Sequence, residues 1–145
     1  MDSDLLEALR SIVGGDHVVT GGEISEDYSH DECVTTASAM PDAVVMPIDT
    51  TQVAAIASAC NDHNTPLTAR GAGTGLSGAC TPRAGGVLIS FERMSSILEI
   101  DPDNHVAVVQ PGVTLSQLDE ALAPHKLTAA DRLTMELQLA GCPRR

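Results

Sequence analysis

Arg70-Gly71-Ala72-Gly73-Thr74-Gly75-Leu76-Ser77-Gly78 places four glycines within eight residues, directly after a short apolar segment. Each ordered glycine costs about 0.5–1 kcal/mol more chain entropy than alanine. A ligand that needs bare backbone N–H groups at close range offsets such a cost, and phosphate is the usual ligand of this kind. Residues 71–78, the glycine loop, are therefore predicted to bind phosphate.

The residues before the glycine loop predict a βαβ unit. Residues 43–46 form a short apolar run that ends at Pro47 and indicates a buried strand, and residues 66–69 indicate a second strand parallel to it. Between them we predict a helix capped by Asp49 or Thr50, with an apolar face of Val53, Ile56, Ala57 and Cys60. The glycine loop then leaves the carboxyl end of the second strand, where open α/β sheets bind ligands.

Apolar periodicity and turn residues predict the remaining elements. They are a helix over 5–13, a strand at 18–19, a strand over 86–90, a hairpin of 97–100 with 106–109, and a helix that begins after Thr114. Residues 20–39 show no clear period. The predicted fold is α/β (α+β): a small parallel βαβ sheet flanked by helices and followed by a β-hairpin.

Charge is unevenly distributed along the chain. The net charge is −12, and residues 1–49 hold eleven acids against a single arginine. Residues 63–98, which include the glycine loop, carry a net charge of +2, as an anion site prefers. The overall acidity argues against nucleic acid as a partner and against docking on anionic lipid.

Two familiar phosphate motifs do not fit the glycine loop. Gly73, Gly75 and Gly78 match the spacing of the dinucleotide fingerprint, but that motif needs a helix to begin among the glycines. Pro82 and the pair at 85–86 follow almost at once and leave no room for one. The P-loop pattern fails because no Gly-Lys-Ser/Thr follows. A nest of successive N–H groups without a long helix is the remaining option.

Cysteine and histidine spacing predicts no metal site. The four cysteines are too far apart for a C-x-x-C pattern, and the five histidines show no ligand spacing. Cys60 is predicted to be buried on its helix. The acidic N-terminus lacks a signal-peptide pattern, and no run is long enough to span a membrane, so we expect a cytoplasmic protein without membrane insertion.

Several spaced motifs together resemble the FAD-binding domain of the vanillyl-alcohol oxidase/p-cresol methylhydroxylase family. They are residues 28–31 (Tyr-Ser-His-Asp), 41–47, 70–78, 86–90 and 109–113, in the family's order. The branch that the chain resembles most is the FAD subunit of glycolate oxidase with the FAD-linked D-lactate dehydrogenases. Residues 1–127 are similar to the N-terminal part of that domain, and residues 128–145 form a tail that departs from its pattern. We therefore expect a truncated chain.

The resemblance implies which residues hold the cofactor. The N–H groups of residues 71–77 would bind the pyrophosphate of FAD, with the Thr74 and Ser77 hydroxyls as extra donors. Pro47 and the turn of Pro111, Gly112 and Val113 would line the cofactor. Arg70 either clamps phosphate or forms an ion pair at the end of the strand. Some relatives attach FAD through a histidine where this chain has Thr74, so we predict non-covalent FAD.

The resemblance also implies a reaction for the parent protein. A flavoprotein of this kind oxidises a small 2-hydroxy acid, of the glycolate or D-lactate type, and passes a hydride to FAD. Its substrate domain, which supplies the catalytic groups, is not recognisable here. The alternative is that the chain is a flavin-binding half-domain without turnover, and a third possibility is that another polypeptide supplies the missing part.

Overall fold

A computed structural model describes residues 1–129, and its elements follow the predicted order. The strands and helices are α1 Ser3–Val13, β1 Val18–Thr20, β2 Ala43–Val45, α2 Thr50–Asp62, β3 Leu67–Arg70, β4 Val87–Ser90, β5 Ile97–Asp101, β6 Val106–Val109 and α3 Leu115–Leu122. Single 3-10 turns follow α1, β1 and α3, and another one covers Glu26–Ser29. Residues 130–145, most of the predicted tail, lie outside the described residues. The chain divides into two compact units, of which the first is Met1–Arg93 and the second begins at Met94.

The first unit is built on a four-stranded sheet with the order β1-β2-β4-β3. Strands β2 and β3, the two strands of the predicted βαβ unit, are both parallel to β4, which lies between them. Strand β1 pairs with β2 in the antiparallel sense. Every residue of β4 is buried whereas β3 is partly exposed, which is why the apolar β4 is central and β3 lies at an edge.

Apolar side chains cover both faces of this sheet. Val44 of β2 and Leu88 of β4 are neighbours in register, and they pack with Ile24 in one cluster. Val45 and Ile89, which follow them in the two strands, point to the opposite face because side chains alternate along a strand, and they are also buried. The sheet is therefore covered on both sides in its centre.

Helix α2 begins as predicted, but its buried face is narrower than the sequence suggested. The Asp49 side chain accepts the N–H of Gln52 at 2.8 Å, which caps the helix. Ile56 and Cys60 are buried, whereas Ala57, predicted on the same face, is exposed. The buried stripe runs instead through Gln52, whose side-chain amide donates to the Ile12 carbonyl at the end of α1.

The second unit contains the predicted hairpin and helix. Strands β5 and β6 pair in the antiparallel sense. Helix α3 begins with a capping box, in which Thr114 and Gln117 each accept the other's backbone N–H. Leu118 and Leu122 of this helix form a buried cluster with Ala107 of β6.

Residues 71–86 contain no helix, as the turn-forming residues after the glycine loop predicted. The dinucleotide-fold interpretation of the glycines is therefore excluded on geometry. Within residues 1–129, no helix combines the length and apolarity needed to cross a membrane.

Candidate functional site

The glycine loop begins where β3 ends, at the carboxyl edge of the parallel strands. Gly73 and Gly78 both have φ near +75°, a conformation that side chains other than glycine rarely adopt. A β-carbon at Gly73 would also lie within 2.7 Å of three atoms of the Arg70 guanidinium. A β-carbon at Gly78 would meet the Thr36 hydroxyl at 2.3 Å. The backbone angle thus favours glycine at both positions, and a side chain at Gly73 would in addition displace the end of Arg70.

The backbone N–H groups of the glycine loop have no hydrogen-bond acceptor among the described residues. Within residues 1–129, no N–H group of residues 71–78 donates a hydrogen bond, whereas the Gly75 and Gly78 carbonyls accept bonds from Glu32 and Thr81. Ala72, Thr74 and residues 75–77 are exposed to solvent. A run of exposed residues whose N–H groups donate no hydrogen bond in this part of the chain fits the oxygens of a phosphate or pyrophosphate group.

Arg70, the last residue of β3, turns back over this loop. Its Nη1 donates to the His30 carbonyl at 2.5 Å, and its guanidinium carbon lies 5.7 Å from the centroid of the Tyr28 ring. No carboxylate within residues 1–129 forms an ion pair with Arg70. The ion pair weighed as the alternative to a phosphate clamp is therefore not formed within residues 1–129, where the partner of Arg70 is a neutral carbonyl.

A second segment contacts the glycine loop. Residues 29–36, the bridging segment, carry the Glu32 N–H that donates to the Gly75 carbonyl at 3.0 Å. Asp31 is only 5% exposed, and its two carboxylate oxygens accept the N–H groups of Cys33 at 3.0 Å and Cys80 at 3.4 Å. In the sequence, Tyr28 to Asp31 stand out only as part of a motif, and nothing in their spacing indicates a contact with the loop.

The remaining predicted site residue of the first unit lies after β2. Pro47 is fully buried, and the carbonyl of the preceding Met46 accepts a hydrogen bond from Arg93 at 2.8 Å. Its predicted place along the cofactor stays a prediction, as do those of Thr74 and Ser77. Arg93, which sequence reasoning did not select, fixes the backbone directly before Pro47.

The other predicted site residues lie in the second unit. Residues 110–113, the proline turn, follow β6, and Pro111, Gly112 and Val113 are all half-buried. The Gly112 N–H donates to the Met94 carbonyl at 2.9 Å, and the Val113 N–H donates to the Gln110 carbonyl at 3.1 Å. Because proline has no N–H, this turn has no backbone donor left for an anion.

The titratable side chains near the glycine loop have distinct environments. Hydrogen bonds with the Thr35 and Thr36 side chains lower the pKa of the Cys33 thiol to about 7. Burial, and then the Glu92 carboxylate, raise the pKa of Tyr28, whose hydroxyl donates to Glu92 at 3.3 Å. Burial also raises the pKa of Cys60, which is buried as predicted. In the described part of the chain, no group of three His, Cys, Asp or Glu side chains is placed to hold a metal ion.

Comparisons with known proteins show the family to which the chain is related. The model of a family described as FAD binding domain matches residues 41–142. An uncharacterized FAD-linked oxidoreductase of Mycobacterium tuberculosis is 46% identical over 121 residues, which is 83% of this chain and 26% of that protein. The D-lactate dehydrogenase of Anaerostipes hadrus is 38% identical over 79% of this chain and 24% of its own length. The glycolate oxidase subunit GlcD of Bacillus subtilis is 37% identical over 95% of this chain and 29% of its own length.

Solved structures give the same result for the fold. The crystal structure of p-cresol methylhydroxylase with substrate bound superposes with a TM-score of 0.74 at 27% identity, covering 86% of this chain and 25% of that one. The predicted fold class is therefore confirmed. The chain spans about a quarter of the length of these curated relatives.

Proposed function

The chain belongs to the family of FAD binding domains, an oxidoreductase family with FAD as cofactor, and from this membership we propose that its glycine loop holds the FAD pyrophosphate. The observation that carries the proposal is the set of N–H groups in residues 71–78 that donate no hydrogen bond within residues 1–129. Each charge-assisted bond to phosphate contributes about 1.5–3 kcal/mol, so that several together exceed the entropic cost of the glycines.

The side chains of the loop add to this backbone cradle. The Arg70 guanidinium forms no ion pair within residues 1–129, and its positive charge attracts the pyrophosphate. The Thr74 and Ser77 hydroxyls donate to the same oxygens. Thr74 cannot form a covalent flavin bond of the kind a histidine makes, so the FAD is bound non-covalently.

The residues outside the loop contact other parts of the cofactor. The proline turn supplies apolar contacts, since all of its N–H groups donate to carbonyls. Pro47 is fully buried, so it supports the cofactor site by fixing the backbone angle of the chain after β2. When bound, FAD supplies the capacity to accept a hydride, while the protein supplies binding, orientation and electrostatics. For the whole protein we propose oxidation of a small 2-hydroxy acid, because two relatives carry the names glycolate oxidase subunit and D-lactate dehydrogenase.

One titration tests the binding proposal. The purified chain is titrated with FAD, and flavin fluorescence and the visible spectrum are followed; we expect saturation near one FAD per chain. Acid precipitation is then expected to release all of the flavin into the supernatant. Flavin retained on the precipitated protein would contradict non-covalent binding, and a chain that takes up no flavin would contradict the site itself.

A second step addresses turnover. Glycolate or D-lactate is added to the FAD-loaded chain, and bleaching of the flavin bands near 450 nm is measured, since a reduced flavin loses most of this absorbance. Bleaching by one acid supports the 2-hydroxy-acid proposal for this chain. A stable spectrum supports the alternative, in which this chain binds flavin without turnover.

A further inference from the structure

The glycine loop does not hold its shape alone, because the bridging segment contacts the loop at two points and its flanking residues at two more. The His30 carbonyl accepts from Arg70 at the start of the loop, and the Glu32 N–H donates to the Gly75 carbonyl in its middle. Thr36 packs against the α-carbon of Gly78, and the Asp31 carboxylate accepts the Cys80 N–H beyond the last glycine. These contacts cover the loop from one end to the other.

Asp31 is the central member of this set. Its side chain is almost completely buried; Oδ1 accepts the Cys33 N–H within the bridging segment, and Oδ2 accepts the Cys80 N–H just beyond the glycine loop. The same Oδ2 atom lies 3.7 Å from where a β-carbon at Gly75 would be. A buried carboxylate is costly unless hydrogen bonds compensate it, and both of its oxygens are compensated by backbone donors.

We propose that Asp31 is a positioning residue, which fixes the glycine loop with its N–H groups turned outward for the FAD pyrophosphate. This inference rests on the proposed function for the identity of the ligand, FAD. That Asp31 holds the glycine loop in place does not depend on the ligand. By accepting the Cys80 N–H, the carboxylate fixes the exit of the loop, while the Glu32 N–H takes up the Gly75 carbonyl. Because the C=O and N–H of one peptide plane point in opposite directions, holding the Gly75 carbonyl on the side of the bridging segment directs the Leu76 N–H away from it.

The position of Asp31 makes the proposal testable, because electrostatics alone predicts the opposite change in FAD affinity when the carboxylate is removed. A carboxylate next to a pyrophosphate site repels the ligand, so that removing its charge should tighten FAD binding. A positioning role requires that removal of the carboxylate weakens binding, because the loop then loses its preorganised shape. The direction of the change therefore separates the two explanations.

The experiment uses the full chain with Asp31→Ala and Asp31→Asn, and with Glu26→Gln as the matched control. Glu26→Gln removes the same charge five residues away, from an exposed side chain that does not contact the glycine loop. We expect Asp31→Ala to raise the Kd for FAD about tenfold or more. Asp31→Asn keeps one acceptor oxygen and should fall between wild type and alanine. Glu26→Gln should leave the Kd unchanged or lower it slightly.

Hydrogen exchange without FAD gives the second readout. In the ligand-free chain, we expect the Cys80 amide and the peptides covering residues 71–80 to exchange several-fold faster in both Asp31 variants than in wild type or Glu26→Gln. Unchanged exchange in this region would overturn the positioning role, and so would tighter FAD binding by Asp31→Asn. If Asp31→Ala does not fold, as judged by thermal unfolding, Asp31→Asn decides both readouts.

The two readouts also keep this inference distinct from the proposed function. If wild type takes up no FAD, the binding site at the glycine loop is refuted, but the exchange of the Cys80 amide still tests whether Asp31 holds the loop. If wild type binds FAD and the Asp31 variants bind equally well with unchanged exchange, the site stands and the positioning role is refuted.

Discussion

The glycine loop and the proline turn differ in what they do with their backbone N–H groups. Both are glycine-containing connections that follow a β-strand, and the resemblance to flavoproteins placed both along the cofactor. In the glycine loop no N–H of residues 71–78 donates a hydrogen bond within the described part of the chain, whereas all three N–H groups of the proline turn donate to carbonyls. Backbone recognition of an anion therefore belongs to the glycine loop, and the proline turn is suited to apolar contact.

Gly73→Ala is expected to have the largest effect on the glycine loop. Alanine at a φ near +75° costs about 1–3 kcal/mol, and its β-carbon takes the place of the Arg70 guanidinium. We expect the Kd for FAD to rise about 30-fold, a change of about 2 kcal/mol, measured by flavin fluorescence. The control is Gly85→Ala, which has a φ of +78° but open space around it. It should lower stability by a similar amount without changing the Kd, and equal Kd values for both variants would contradict a specific role for Gly73.

Arg70→Ala tests whether the glycine loop uses charge as well as N–H groups. We expect the Kd for FAD to rise about tenfold and its dependence on salt concentration to become weaker, because one screened attraction is lost. The exposed Arg83, in the same positively charged region, is the matched control. If Arg83→Ala changes the Kd and its salt dependence equally, Arg70 acts only through the net charge of the region.

Substitution of one threonine in the glycine loop and of one beside the proline turn tests the difference between the two connections. The Thr74 hydroxyl has no hydrogen-bond partner within residues 1–129, whereas the Thr114 hydroxyl, next to the proline turn, caps α3. Thr74→Ala should raise the Kd for FAD about fivefold with an unchanged melting temperature. Thr114→Ala should lower stability by about 1 kcal/mol with an unchanged Kd. A Kd change from Thr114→Ala as large as that from Thr74→Ala would refute the distinction between the loop and the turn.

Cys33 provides the smallest and most local signal. With a pKa of about 7, its thiolate fraction rises from about a tenth at pH 6 to about half at pH 7, whereas burial raises the pKa of Cys60. Iodoacetamide should therefore label Cys33 before Cys60, at a rate that rises with pH and levels off above pH 8, as measured by peptide mass spectrometry. Because Thr36 contacts both Cys33 and Gly78, FAD binding should change this rate by about twofold. A labelling rate of Cys33 that is unchanged by saturating FAD would argue against binding at this loop.

Periodic patterns and turn-forming residues predicted most of the fold. The strands, helices and hairpin appear at the expected places, because apolar spacing and capping residues such as Asp49 and Thr114 act over a few neighbouring positions. The insertion of β4 between β2 and β3 was not evident, since strand order depends on which strand buries both of its faces. The exposure of Ala57 was missed for a similar reason, because the face of α2 that is buried depends on its contact with α1.

The features of the site likewise divide into those set by neighbouring residues in the sequence and those set by contacts between distant residues. The sequence by itself determined that residues 71–78 form a glycine-rich, helix-free loop after a strand, because glycine content and breakers fix local backbone conformation. Only the tertiary structure decided that Arg70 turns to the His30 carbonyl instead of a carboxylate, and that Asp31 joins the loop to the bridging segment. Those contacts connect residues about 40 or more positions apart in the chain. Their geometry depends on how buried polar groups satisfy one another in the folded chain, which no local pattern encodes.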